Sequence, residues 1–281
     1  MRHSFAAIDF ETANGRIHSI CAIGVVTVDH GAVRERMWLV RPPGNRYVHE
    51  NTALHGLTAI DTRTAKPFAD VWPEAKRFIG NRTVIGHNMR WDAKALEAAL
   101  AYYDKPVPRL RKGCSMDMAI LVWPDRSDYK LPALCSDWGI DLNHHNALSD
   151  ARAVAELVKV MLKIEKCDLS ELLKRSKKGT SRRREEARLR AMKEKPPTEK
   201  QLNLMATLLH ENGHSDPLIA IVRKVMEAEW DRAEVSIGIE AVKSGKDITI
   251  TRPSRKQLKA LTGTRFSTIS RGNRFGVVFT V

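Results

Sequence analysis

The chain of 281 residues lacks the features of membrane and secreted proteins. No apolar run approaches the roughly 18 residues that a membrane-spanning helix requires, and the N-terminus leads into no signal-peptide core. The four cysteines lie far apart and never form the Cys-x-x-Cys pairs typical of zinc sites and redox motifs. We therefore expect a cytoplasmic protein with reduced thiols, no membrane contact and no cysteine-based metal site.

Acidic residues are scarce relative to basic ones. The chain holds 33 Asp and Glu against 47 Lys and Arg, a formal net charge of +14. Such an excess favours polyanionic partners, among which nucleic acid is the first candidate. The hydrophobic fraction of 43% is that of a globular protein with one large or two modest domains.

The uneven distribution of charge predicts the domain boundaries. Residues 174–200 hold 12 basic and 4 acidic residues and no aromatic one, and residues 177–184 carry no apolar side chain. Such a segment is typical of a solvated linker or a partly helical arm, and it could equally tether nucleic acid. We predict a first domain over 1–166, a basic linker or arm over 167–197 and a small α+β accessory domain over 198–281.

The order of apolar segments predicts the fold class of the first domain. Three strand-like runs come first, and a short strand then leads into the first of two helices: 5–10, 20–28, 33–40 and 83–86 for the strands, 91–100 and 147–164 for the helices. The turn signal Asp29-His30-Gly31 favours an antiparallel meander for the early strands. The pattern is typical of an α/β domain with a mixed sheet flanked by helices.

The C-terminal segment reads as mixed α and β. Capping boxes at Thr198–Gln201 and Ser254–Gln257 each predict a helix start. A single helix is expected over 219–243, and strands over 248–250 and 275–281.

Two acidic residues close the first predicted strand. Asp9 and Glu11 are two positions apart, so their side chains project from the same face. Two carboxylates held this close repel each other, and a divalent cation is the usual compensation. Taken alone, the pair also fits a solvated strand end.

Two more acidic residues stand where the predicted helices begin. Asp92 lies at the start of the first helix and Asp150 near the start of the last one. Alone, each is explained by its favourable interaction with the helix dipole. His145 precedes Asp150 by five positions, outside the helix, and alone would be a surface or capping residue. The neighbouring His144 suggests a metal site only weakly, because no third nitrogen or sulfur ligand is near in sequence.

Taken together, three motifs are far more specific than their parts. D-F-E-T occupies residues 9–12, G-H-N-x-x-W-D residues 86–92, and H-x-A-x-x-D residues 145–150. In this order they resemble the DEDDh branch of the DnaQ-like 3′–5′ exonucleases, which share a ribonuclease H-like fold. The resemblance covers residues 1 to about 165. The second motif has Trp91 where the family usually has Phe, and we expect this to change packing rather than activity.

The resemblance implies a two-metal active site. Its four carboxylates, which would hold two divalent cations, Mg²⁺ or Mn²⁺, are Asp9, Glu11, Asp92 and Asp150, and its general base is His145. It further implies that Phe10 and Thr12 contact the terminal nucleotide and that Asn88 orients the substrate. Core packing is an equally good interpretation of Phe10.

The substrate and the pathway are less determined. The first hypothesis is 3′–5′ cleavage of single-stranded DNA or DNA 3′ ends, as in proofreading or repair. The second is cleavage of RNA, since discrimination by the 2′-OH is not visible in the sequence. The third is a nucleic-acid or replisome adaptor recruited through the basic arm and the C-terminal domain.

One short segment of the C-terminal region suggests a protein partner. Gln201-Leu202-Asn203-Leu204-Met205 resembles the peptides with which bacterial replication proteins bind the sliding clamp. However, Met205 replaces the expected Phe, and Gln201 is already used in the capping box. The favoured interpretation is an ordinary helical core stripe, with a clamp or polymerase contact as the alternative.

Overall fold

A computed structural model describes residues 3–193, 195–214, 216–244, 248–251, 266–271 and 274–279. The chain forms two compact units, Met1–Ala187 and Arg188–Val281. None of the helices in these described residues is long and apolar enough to cross a membrane.

The first unit is built on a five-stranded mixed sheet. Its strands are β1 (Ser4–Thr12), β2 (Ile20–Asp29), β3 (Ala32–Leu39), β4 (Thr83–Gly86) and β5 (Lys112–Cys114). They lie in the order β3-β2-β1-β4-β5. The first three strands form an antiparallel meander, whereas β4 runs parallel to β1, and β5 runs parallel to β4. The predicted meander and the mixed sheet are confirmed.

Helices cover both faces of this sheet. They are α1 (His49–His55), α2 (Ala59–Thr62), α3 (Phe68–Ile79), α4 (Arg90–Tyr102), α5 (Ser115–Val122), α6 (Leu131–Trp138), α7 (Ala147–Glu165), α8 (Leu169–Lys177) and α9 (Thr180–Met192). Alternate residues of β1 pack into two cores. Phe5 and Ala7 join the core under α5, α6 and α7, and Ala6 and Ile8 join the core under α3 and α4.

The first turn of α7 rests directly on β2 at Gly24. A Cβ atom at Gly24 would lie 2.0 Å from the carbonyl oxygen of Ala147 and 2.5 Å from the amide nitrogen of Leu148. Gly24 pairs with Asp9 across the β1–β2 ladder. Only glycine allows this approach, which brings the start of α7 beside the end of β1.

Replacing Gly24 by Ala should therefore destabilise the first unit. The new methyl group meets helix backbone rather than a flexible side chain, and overpacking of this kind costs about 1–3 kcal/mol or more. Urea unfolding of Gly24→Ala measures the loss. The matched control is Gly15→Ala, since nothing lies within 4 Å of a Cβ at Gly15, and it should stay within about 0.5 kcal/mol of wild type. Equal stability of the two variants would contradict the close approach.

The basic segment after α7 packs on the first unit. Leu169 and Leu172 of α8 are buried in the same core as α7, and a Cβ at Gly113 of β5 would lie 2.5 Å from the Leu173 side chain. The sequence analysis expected a basic linker or arm over 167–197, whereas the compact unit extends to residue 187. The physical reason is that the leucines give this charged helix one apolar face.

The described residues of the second unit include three helices and a small sheet. The elements are α10 (Glu199–Glu211), α11 (Asp216–Glu229), α12 (Arg232–Lys243), β6 (Ile248–Thr251), β7 (Phe266–Arg271) and β8 (Arg274–Phe279). The strands form an antiparallel sheet in the order β6-β8-β7. β7 has no counterpart in the sequence predictions, and the predicted capping box at Ser254–Gln257 lies outside the described residues.

The single helix predicted over 219–243 is wrong. It is interrupted after α11, and α12 begins with its own capping box, in which the side chains of Asp231 and Glu234 bond each other's backbone amides. The apolar periodicity continues through both helices, but the reciprocal cap starts a new helix at Arg232. The capping box of Thr198 and Gln201 is confirmed at the start of α10.

The clamp-like segment lies in the core of the second unit. Leu202 and Met205 are buried, and Gln201 Nε2 donates hydrogen bonds to Ser236 Oγ at 2.8 Å and to the Arg232 carbonyl at 3.0 Å. These side chains are the ones that a clamp peptide has to expose. The packing supports the interpretation as a helical core stripe.

Candidate active site

Carboxylates from three elements converge at the C-terminal end of β1. Asp9 and Glu11 come from β1, and Asp150 comes from the first turn of α7. One oxygen from each of the three lies within 4.8 Å of the others. Asp92, in the first turn of α4, is near enough that its charge raises the pKa values of Asp9 and Glu11. The four carboxylates named from the motifs are thus brought together.

The cluster concentrates negative charge in a partly dry environment. Burial raises the pKa of Asp9 well above its ordinary value, and the neighbouring carboxylates raise it further. Burial, Asp150 and Asp92 together raise the pKa of Glu11 to about 8. Burial also raises the pKa values of Asp92 and Asp150. A bound cation would relieve this repulsion.

Asp92 is the most enclosed member of the cluster. It is 2% exposed, and the backbone amides of Asp92 and Phe10 hydrogen bond to its carboxylate. Its Oδ1 atom is buried and has no hydrogen-bond partner among the described residues. Gly86 makes room for this side chain, because a Cβ there would lie 2.8 Å from Asp92 Oδ2. Asp92 thus offers an oxygen without a hydrogen-bond partner beside the three other carboxylates. Together these oxygens form the kind of donor set that a hard divalent cation requires.

Two histidines flank Asp150. The backbone N–H of His145 donates to Asp150 Oδ2 at 3.2 Å, and His144 Nδ1 lies 3.1 Å from the same oxygen. The two rings stack with centroids 3.9 Å apart. Burial and His144 lower the pKa of His145, while Asp150 raises it. The ring of His145 is therefore disposed to be neutral near pH 7, and His144 is a second imidazole at the site.

The loop that carries these histidines is held in a fixed conformation. Asn146 caps α7 by accepting a hydrogen bond from the Ser149 amide at 3.0 Å, and the Ser149 hydroxyl accepts one from the Asn143 amide at 2.8 Å. His145 has a φ of 65° in the left-handed region, which few non-glycine residues adopt. Strain of this kind concentrates at functional sites.

The three residues named for substrate contact occupy different environments. Asn88 is exposed just before α4, with a left-handed φ of 61°. Thr12 is largely buried at the end of β1. Phe10 is 3% exposed and packs edge-on against Trp72 in the core. The backbone amide of Phe10 hydrogen bonds to the Asp92 carboxylate. Its side chain packs in the core, as the alternative interpretation expected.

Two residues to which the sequence assigned no role, Asn51 and His55, support Thr12. Asn51 Nδ2 donates to the Thr12 carbonyl at 2.7 Å, and His55 Nε2 lies 3.1 Å from the same oxygen. His55 Nδ1 accepts from the Leu57 amide, so Nε2 carries the proton and donates. Asn51 and His55 are four residues apart on one face of α1. The spacing is present in the sequence, but its meaning is clear only once the contact with Thr12 is known.

The raised pKa values predict a pH-dependent stability for the metal-free protein. The pKa of Glu11 rises from 4.5 to about 8 on folding, so the folded protein binds more protons between these values. Its stabilising contribution is complete below pH 4.5 and is lost as pH rises through about 8. We expect the Tm in a metal chelator to fall over this range, and to fall less steeply in Glu11→Gln. If Tm fell equally steeply with pH in wild type and in Glu11→Gln, the raised pKa would not belong to Glu11.

Comparison with known proteins agrees with this geometry. The sequence matches the RNase T exonuclease family over residues 6–158, which is more than half of the chain. The chain belongs to this exonuclease family. It is therefore a nuclease by family, and the second unit lies outside the family match.

The sequence relatives include DNA polymerase III proteins. The DNA polymerase III subunit epsilon of Aquifex aeolicus (strain VF5) is 26% identical over 157 residues, which cover 55% of this chain and 78% of that protein. The PolC-type DNA polymerase III of Clostridium perfringens (strain 13 / Type A) is 27% identical over 165 residues. That match covers 57% of this chain but 11% of the polymerase.

Solved structures show the same fold at low identity. Exonuclease X in complex with 5′ overhanging duplex DNA gives a TM-score of 0.51 at 22% identity and covers 61% of this chain and 99% of its own. The 3′-exonuclease described with a histone mRNA stem-loop gives 0.52 at 19% identity, covering 58% of this chain and 82% of its own. The predicted ribonuclease H-like α/β fold is confirmed.

Proposed function

We propose that the protein is a metal-dependent 3′–5′ exonuclease that releases nucleoside monophosphates from single-stranded DNA or DNA 3′ ends. The observation that carries this proposal is the convergence of four carboxylates, one with an orphaned buried oxygen, beside His145. The family match supports the hydrolase class, while the direction and the substrate are parts of the proposal.

The chain's own residues divide into three tasks. Those that would hold two divalent cations, Mg²⁺ or Mn²⁺, are Asp9, Glu11, Asp92 and Asp150. When bound, such ions supply activation of a water and stabilisation of the leaving 3′ oxygen. His145 accepts the proton of the attacking water, for which a neutral imidazole is required. Thr12 and Asn88 orient the terminal nucleotide from the rim of the site.

The sequence relatives support DNA rather than RNA as the proposed substrate of this protein. The sequence relatives named above are DNA polymerase III proteins, which suggests a proofreading or repair role and a polymerase as a partner. One solved structure of the same fold is described with histone mRNA, so an exoribonuclease is the second candidate.

The decisive experiment is digestion of matched 5′-labelled DNA and RNA single strands with Mg²⁺ or Mn²⁺. We expect a ladder that shortens from the 3′ end, appears only with added metal and forms faster on DNA. A faster ladder on RNA would select the second candidate. Binding of both strands without cleavage would overturn the enzyme proposal in favour of a nucleic-acid adaptor.

A further inference from the structure

An open groove follows the outer edge of the sheet along β5. It consists of two recesses of about 810 and 270 Å³ that share Lys112 and Lys177 as lining residues. The larger recess lies beside the starts of β1 and β4, and the smaller one lies between β5 and the start of α4. The helix α8 borders both recesses. We call the two together the β5 groove.

The charged side chains of the β5 groove are nearly all basic. They are Arg90, Arg111, Lys112, Lys174 and Lys177, with Asp117 as the acidic exception. Asp117 is already paired with Arg184, whose Nε lies 2.5 Å from its Oδ1. Lys112 pairs with Glu97 at 3.3 Å. Arg90, Lys174 and Lys177 are exposed, and the described residues offer none of them an ion-pair partner.

The floor of the larger recess is apolar. It is formed by Leu110, Leu169 and Leu173 beneath the basic rim. Basic side chains suit the phosphates of a nucleic acid strand, and an apolar floor suits the faces of unpaired bases. A duplex presents its bases stacked and paired, so this combination fits a single strand better than a double one.

The β5 groove leads to the acidic site. β5 runs parallel to β4, with Cys114 opposite Gly86 at the end of the pair. From Gly86 the chain continues through Asn88 into α4, and Arg90 of that first turn lines the smaller recess. One end of the groove therefore opens beside the residues that flank Asp92.

We propose that the β5 groove binds the single-stranded part of the substrate on the 5′ side of the nucleotide that is removed. This inference rests on the proposed exonuclease function. It assigns a role to α8, which lies beyond residue 158, where the family match ends. The basic segment thus binds substrate as part of the folded first unit.

The test compares two double variants with the same loss of charge. Lys174→Gln with Lys177→Gln removes two groove cations from the last turn of α8, and Lys76→Gln with Arg77→Gln removes two exposed cations from the last turn of α3. We expect the groove variant alone to lose about tenfold in kcat/KM on a long DNA single strand at low salt. Its plot of log binding constant against log salt concentration should also be shallower by about 1.4, the value for two lost phosphate contacts with a single strand. Cleavage of a dinucleotide, too short to reach the groove, should be unchanged.

The outcomes separate this inference from the proposed function. If wild type cleaves but the two double variants behave alike on the long strand, the groove assignment is overturned. If wild type cleaves nothing, the exonuclease proposal fails, and fluorescence anisotropy of the labelled strand still decides whether the groove variant alone has lost affinity. Tighter binding of polyglutamate than of a DNA strand of matched charge, lost in the groove variant alone, would assign the groove to acidic peptides instead and overturn the inference.

Discussion

Asp9→Asn should lower turnover by about 10³-fold, the upper end of the range for removing one electrostatic group at a reacting centre. Asparagine has the size of aspartate but no charge, so the change removes one carboxylate from the proposed cation site and leaves the packing intact. Burial and three neighbouring carboxylates raise the pKa of Asp9, which means that its negative charge is unfavourable in the folded protein. Without metal, the uncharged variant should therefore be at least as stable as wild type.

Two measurements check this expectation together. Gel assays of a 5′-labelled strand give the turnover, and thermal unfolding with and without Mg²⁺ gives the stabilisation by metal, which follows from binding to the folded state. The wild-type Tm should rise with Mg²⁺ and that of Asp9→Asn should rise less. Asp104→Asn is the control, since Asp104 is exposed and has a left-handed φ of 51° that asparagine also tolerates. Wild-type turnover in Asp9→Asn would remove Asp9 from the proposed site.

The four carboxylates lie close together because each stands near the end of a regular element. Strand periodicity puts Asp9 and Glu11 on one face, and Asp92 and Asp150 stand at helix starts, but only the resemblance of the three motifs to a known family named the four as one set. When such elements pack as a sheet with flanking helices, their ends meet at one edge. Local pattern therefore gave the positions of the acidic residues, and the resemblance gave their grouping.

Contacts between distant segments were not readable in the sequence. The approach of α7 to Gly24 depends on a missing side chain opposite a helix backbone, and a single glycine in a strand has several explanations. His55 joins the site through the Thr12 carbonyl, a contact between segments 43 residues apart. The burial of Leu172 was hidden by the charge around it, since a strongly basic helix with two buried leucines resembles a linker in composition.

The two adjacent histidines require separate expectations. Both lie near Asp150, and their rings stack, so the structure offers two imidazoles where the motif names His145. The carboxylate of Asp150 approaches the ring of His144 but the backbone amide of His145. Under the proposed mechanism the His145 ring is the one that takes the proton of the attacking water, and the His144 ring contacts and orients Asp150.

His145→Ala should lower kcat by about 10²–10⁴, the usual contribution of a positioned general base, with little change in KM. His144→Ala is the matched control and should change kcat by less than about tenfold, since it removes a contact to Asp150 and the stacking on His145 but leaves the proposed base in place. The pH profile of kcat/KM distinguishes the roles further. Burial lowers the pKa of His145, and a base acts only when neutral, so the wild-type rate should fall on acidification through that pKa. Loss of this acid limb in His145→Ala but not in His144→Ala assigns the proton transfer to His145, and the reverse pattern assigns it to His144.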